Sequence, residues 1–248
     1  MTTLFNRLRL RGPLTAVAIA LTGLATTSAS AQSLAILPVT IQMEPGQMAT
    51  LLTVINQGPV ETAVQIRAFS WNQADGTDQL VNSDDIMVSP PLATIQPGGT
   101  QIVRLVLRKP VVGREGTYRV LLDQIPPPAE PGVVRVALRM SLPVFAEPAT
   151  RVAPELKFHI EHDNGQPYLV ATNDGGSHEA IRDVVLEAAN GANLKVDSAV
   201  SPYVLAGAKR RWPITRTDGS SPIAGAVNLT ATTNTTPLKR SVAVVEHR

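Results

Sequence analysis

The chain has 248 residues, with 22 basic and 20 acidic side chains, a formal net charge of +2 and no cysteine. Three of the basic residues, Arg7, Arg9 and Arg11, precede an uncharged run from Gly12 to about Ala25 and the small-residue stretch Ala29-Ser30-Ala31, the pattern of a secretory signal peptide over residues 1 to 31, removed after Ala31. Taking those three from the 22 leaves 19 basic residues against 20 acidic ones, which removes the support for a nucleic-acid-binding role; without disulfides, the exported chain is held together by burial alone.

The leader's apolar run is shorter than the ~20 residues that span a bilayer, and nothing later is long enough, so stable membrane insertion is not expected. After residue 32 the chain alternates apolar and polar residues in short segments: MATLLTVIN (48–56), AVQIRAFSW (63–71), TQIVRLVLR (100–108) and TYRVLLDQI (117–125). This is the period of half-buried strands. Turn formers separate them, at Asn56-Gln57-Gly58-Pro59, Asp75-Gly76, Pro97-Gly98-Gly99 and Pro131-Gly132. Phe69 and Trp71 share a strand face, which predicts core. The loop GREG (113–116) is expected to be mobile and free to touch a partner.

The stretch VVRVALRMSLPVFAEP (133–148) sets Val134, Val136, Leu138 and Met140 on one side and Arg135 and Arg139 on the other, and then carries Pro143. A proline removes a ladder donor, so Pro143 is expected to mark a bulge, a change of sheet or the start of a linker. The alternation leaves two readings of the aliphatic row: it packs into its own domain, or it faces something else.

Beyond Pro148 the pattern restarts with ELKFHIEHD, PYLVATND, IRDVVLEAAN, YVLAGAKRRWPI, AVNLTATT and KRSVAVVEH, with Trp212 expected in a second core. Pro148 and Pro154 bracket a short linker. The prediction is an all-β chain of two β-sandwich domains, residues 32–148 and 149–248.

The chain contains no Gly-rich phosphate loop, no G-x-S-x-G elbow and no cysteine nucleophile. His159 and His162 are three apart, which sends them to opposite faces of a strand and spoils a metal site with Asp163. His178 follows Asp174-Gly175-Gly176-Ser177 in a predicted turn and is given a structural, hydrogen-bonding role, and Asp84-Asp85 reads as a solvated turn. No enzymatic activity, cofactor or metal is expected.

The order of elements in the first domain resembles that of the periplasmic pilus-assembly chaperones of the chaperone–usher pathway. The residues that carry the resemblance are Ser89-Pro90-Pro91, the Ile95-Gln96-Pro97-Gly98 turn feeding Arg104, Ile125-Pro126-Pro127, and the Val144-Phe145-x-x-Pro148 exit. In the second domain Asn173-x-Gly175 with His178, and YVLAGAKRRWPI, are similar to the archaic branch that builds spore-coat-like or Csu-type pili. The resemblance implies immunoglobulin-like domains, a periplasmic location, pilin or fimbrial subunits as cargo and an outer-membrane usher as receiver. It also implies a role for the aliphatic row: Val134, Val136, Leu138 and Met140 complete a subunit's fold as a donor strand, a known form of strand addition.

The better-known branch anchors the subunit's C-terminal carboxylate with an arginine and a lysine. Here Leu37-Pro38 and Pro143 stand at those positions. A carboxylate buried there needs another base, and Arg119, Arg67 and Arg104 are the candidates, with Arg104 also suited to an internal ion pair. The alternative function is a structural or adhesive subunit of a surface fibre, which would carry an N-terminal donor extension. A carbohydrate-active enzyme would need an acidic pair that the sequence does not show.

Overall fold

The computed structural model describes residues 34–127, 132, 136–197, 199–216, 223, 225–234 and 236–245. The predicted leader and Val134 lie outside the described residues. Among the described residues there is no helix, and so none long and apolar enough to cross a membrane.

The first ten strands are β1 (Leu34–Leu37), β2 (Ile41–Met43), β3 (Ala49–Asn56), β4 (Thr62–Ala74), β5 (Thr77–Asn82), β6 (Ile86–Ser89), β7 (Leu92–Ile95), β8 (Thr100–Leu107), β9 (Gly116–Ile125) and β10 (Arg139–Ala146). They form two facing sheets. One has the order β1-β3-β8-β6, and the other β2-β10-β9-β4-β5 with β7 also on β4. Alternate residues of each strand point between the sheets: Leu52 and Val54, Ile66, Val103 and Leu105, Val120 and Leu122, and Leu142 and Val144 make one core.

The remaining strands are β11 (Leu156–Asp163), β12 (Gln166–Asn173), β13 (Glu179–Ala180), β14 (Arg182–Ala188), β15 (Asn193–Val196), β16 (Tyr203–Val204), β17 (Lys209–Arg216), β18 (Val227–Thr232) and β19 (Pro237–Val245). Seven of them bond in a ring, β11-β12-β17-β15-β14-β18-β19, so this sandwich is closed along its edges. Its separate core holds Ile160, Leu169, Leu186, Ile214, Leu229 and the predicted Trp212.

Two expectations are overturned, and a third holds for Trp71 but not for Phe69. Pro143 does not interrupt its strand, because β10 runs on to Ala146 in unbroken register with β9, Pro143 lying opposite Arg119. Trp71 is buried, but in a third cluster with Phe145 and Leu205, on the outer face of its sheet, while Phe69 beside it is only half-buried. The GREG loop is not free: Glu115 accepts hydrogen bonds from the backbone N–H and Nδ1 of His178, at 2.9 and 2.8 Å, and donates its own N–H to the Gly176 carbonyl at 2.9 Å.

The third cluster is the seam between the two cores. The His178 ring stacks on Phe145 with centroids 3.5 Å apart and planes 8° from parallel, and Tyr203 meets Trp71 edge-on at 5.6 Å. Gln73 bonds the backbone of Tyr203 and Leu205 at 2.8 and 3.0 Å. The buried Arg210 pairs with Asp78, which also accepts from the Trp71 indole at 2.9 Å. Asn173 is fully buried and makes four bonds, donating to the Ser177 and Val204 carbonyls and accepting from the Glu155 and Gly175 amides. The linker passes so close to Gly175 that a Cβ there would lie 2.2 Å from the Ala153 carbonyl oxygen; only glycine fits.

Candidate functional site: the open flank of β10

β10 has two different flanks along its length. β9 pairs with all of it, from Arg139 opposite Asp123 to Ala146 opposite Gly116, whereas β2 pairs, in parallel, only with Val144 to Ala146. From Arg139 to Pro143 no described strand lies on that second side.

Two hydrogen bonds fix which backbone groups are left over. Gln124 donates its N–H to the Leu138 carbonyl at 2.8 Å, so Leu138 and, by antiparallel alternation, Met140 and Leu142 address β9. Glu147 donates its N–H to the Met43 carbonyl at 2.9 Å, so odd-numbered positions address the other flank. Arg139, Ser141 and Pro143 therefore aim at the open side. Pro143 is tolerated mid-strand because the N–H it lacks belongs to that side and not to the ladder.

The aliphatic row continues this geometry. Leu142 and Val144 are in the core, Met140 is partly buried against it, and then the row leaves the domain: Leu138 is 40% and Val136 85% exposed. Ile125, at the end of β9, Leu37, at the end of β1, and Val39, between β1 and β2, are exposed apolar side chains as well. Of the four predicted row residues, the structure thus leaves two unsealed and seals one in part, while Val134 is not described.

The three candidate cations stand in different places. Arg104 is exposed on β8, in the opposite sheet, and among the described residues it has no ion pair, so of its two readings the internal pair is not formed. Arg67 is committed: its Nη2 lies 2.6 Å from Asp123, which also pairs with Arg139 across β9. Burial raises the Asp123 pKa, but the bonds to Arg139 and Arg67 more than offset this and hold it below the usual carboxylate range. Arg119 lies opposite Pro143, with its guanidinium 3.7 Å from the centre of the Trp71 ring. No described carboxylate is within ion-pairing distance of it. Burial draws its pKa down, against the attraction of Asp78 and Tyr203.

One further group escaped the sequence reading. A cavity of about 320 Å³ is lined by Thr40 and Gln42 on the first core and His178, Glu179 and Tyr203 on the second, with Arg151 and Arg182 beside them. Its residues come from five separate stretches of chain, and no spacing rule joins them.

Residues 33–151 match the family model of the N-terminal domain of PapD-type pili and flagellar-assembly chaperones. The first domain belongs to that chaperone family. The chain also superposes on a chain of the chaperone–tip adhesion subunit pre-assembly complex from the archaic chaperone–usher Csu pili of Acinetobacter baumannii, with a TM-score of 0.66 and 22% identity over 86% of this chain and 100% of that one. A chain of the SafA pilin–SafB chaperone complex of Salmonella enterica gives 0.59 and 16% over 87% and 99%, and the E. coli chaperone DraB 0.56 and 18% over 85% and 97%. At these identities the likeness is one of fold. No curated protein matches the chain by sequence.

Proposed function

We propose that this chaperone is exported to the periplasm with residues 1 to 31 removed, and captures pilin subunits by lending them its row Val134, Val136, Leu138 and Met140 as a donor strand before passing them to an outer-membrane usher. The proposal takes residues 32–148 and 149–248 as its two domains, a division supported by the two separate clusters of buried residues. The observation that carries the reading is the flank of β10 between Arg139 and Pro143 that no described strand covers, continued by the exposed aliphatic side chains Leu138 and Val136. An exposed strand edge with large apolar residues is an aggregation hazard that soluble proteins blunt, so its retention calls for a partner. Backbone bonds along the flank supply affinity, and the alternate side chains supply the fit. Burying Val136 and Leu138 contributes roughly 1.5 to 3 kcal/mol each, before the cost of association.

Within this reading Arg119 is the anchor for the subunit's terminal carboxylate. It sits beside Pro143, at the inner end of the open flank; Arg67 is already tied to Asp123, and Arg104 stands on the opposite sheet. The archaic branch is the preferred assignment, because the motif that suggested it, Asn173-x-Gly175 with His178, is the set of residues that ties the linker and Phe145 into the seam.

The test is co-expression with a pilin subunit lacking its N-terminal extension. Val136→Glu and Leu138→Glu are expected to abolish recovery of a soluble pair, and Arg119→Ala to reduce it about tenfold or more. Wild-type recovery with both glutamate variants sinks the reading, and an unaffected Arg119→Ala removes the anchor.

A further inference from the structure

Beyond Pro143, toward the exposed row, β10 is held on one side only, yet it stays in register up to Leu138. The apolar pattern does not account for this, since among the described residues Val136 is left 85% and Leu138 40% exposed. The contacts that do account for it lie on β9. Asp123 bridges three strands on the outer face of the sheet, taking Arg67 of β4 on one oxygen and Arg139 of β10 on the other. Its side chain is only 15% exposed, while those of Arg67 and Arg139 are 41% and 66% exposed, so the bridge is open to screening salt from its arginine side. One residue on, the buried Gln124 receives the Leu138 N–H on its side-chain Oε1 at 3.3 Å while its own N–H goes to the Leu138 carbonyl. A side chain here does what the next rung of a ladder would do.

We propose that Asp123, assisted by Gln124, is a positioning residue that fixes the root of the donor segment in its extended register before any subunit arrives. The inference rests on the donor-strand reading above. None of the three side chains Asp123, Arg67 and Gln124 belongs to the aliphatic row; Asp123, backed by Arg67, acts through the Arg139 side chain, and Gln124 through the Leu138 backbone. A segment ordered in advance loses less conformational freedom on docking, so the gain appears in the rate of association.

The experiment measures amide exchange in the free chaperone and binding to a pilin subunit lacking its N-terminal extension. In Asp123→Asn, exchange at Leu138 and Met140 is expected to accelerate about tenfold, which corresponds to ~1.4 kcal/mol, while Val103 and Leu105 of the opposite sheet keep their protection and show that the domain is folded. Association slows by roughly five- to tenfold with dissociation nearly unchanged. Asp123→Glu restores both. The exposed Arg139→Gln, which removes one arm of the bridge, gives a smaller change in the same direction. Unchanged exchange at Leu138 and Met140 in both variants overturns the clamp whatever the subunit does. Faster exchange with an unchanged association rate places the fault in the donor-strand reading instead, and overturns the positioning role with it.

Discussion

β10 is one strand with two kinds of surroundings. At its Phe145 end every neighbour is present: β9 and β2 on the flanks, the core beneath, and the His178 ring stacked above. At its Arg139 end one flank and part of the apolar row are bare. The same alternation of residues builds both ends, and what differs is what the rest of the chain brings to them. A structural region saturates its groups, and a region kept for a partner leaves them aligned and unsatisfied.

Mutations at the seam are the largest way to sharpen that contrast. Phe145→Ala is expected to destabilise the chaperone by about 3 to 5 kcal/mol in urea unfolding, the usual range for an emptied aromatic site. Arg210→Ala leaves the Asp78 carboxylate with the Trp71 indole but without its cation and is expected to cost about 3 kcal/mol or more. At the open end, Leu138→Ser shifts unfolding by no more than about 0.5 kcal/mol, because an exposed side chain leaves no cavity. Equal losses at the two ends would break the comparison.

A middle-sized effect comes from pH. Burial raises the Asp78 pKa, but its bonds to Arg210 and Trp71 outweigh burial and depress it below 3.8. A carboxylate with a depressed native pKa adds stability that is complete above its unfolded value near 4 and is lost as pH falls through the folded value. The seam should therefore weaken in acid below about pH 4, and Asp78→Asn should flatten that part of the stability profile. An unchanged profile would show that this pair does not hold the seam.

The smallest effect is the most specific. Pro143→Val is expected to change stability by less than about 1 kcal/mol, since the restored N–H faces the open flank, whereas Leu142→Pro, one residue away, removes a ladder donor and a core side chain and costs about 3 kcal/mol or more. A large loss from Pro143→Val contradicts the assignment of flanks.

The alternation of apolar residues made the strands and both cores legible in the sequence, and the Val-Phe-x-x-Pro exit pointed to the family. Errors arose where meaning depends on a distant segment. Trp71 looks like an inward residue until Tyr203 and Leu205 are seen to cover its outer face. Glu115 lies in a glycine-flanked loop and is fixed by a histidine 63 residues away. Pro143 looks like a strand breaker because a sequence shows side-chain alternation but not which flank each N–H addresses. The bridge at Asp123 was hidden for the same reason, its three members being assigned to three separate strands.

The most direct measurement is amide hydrogen exchange, residue by residue, along Leu138 to Leu142 in the free chaperone and in its complex with a pilin subunit. The open-flank account predicts slow exchange at Leu138, Met140 and Leu142 in both states, and fast exchange at Arg139 and Ser141 that becomes slow only in the complex. Protection of Arg139 and Ser141 in the free monomer, or no gain of protection there on binding, would contradict it.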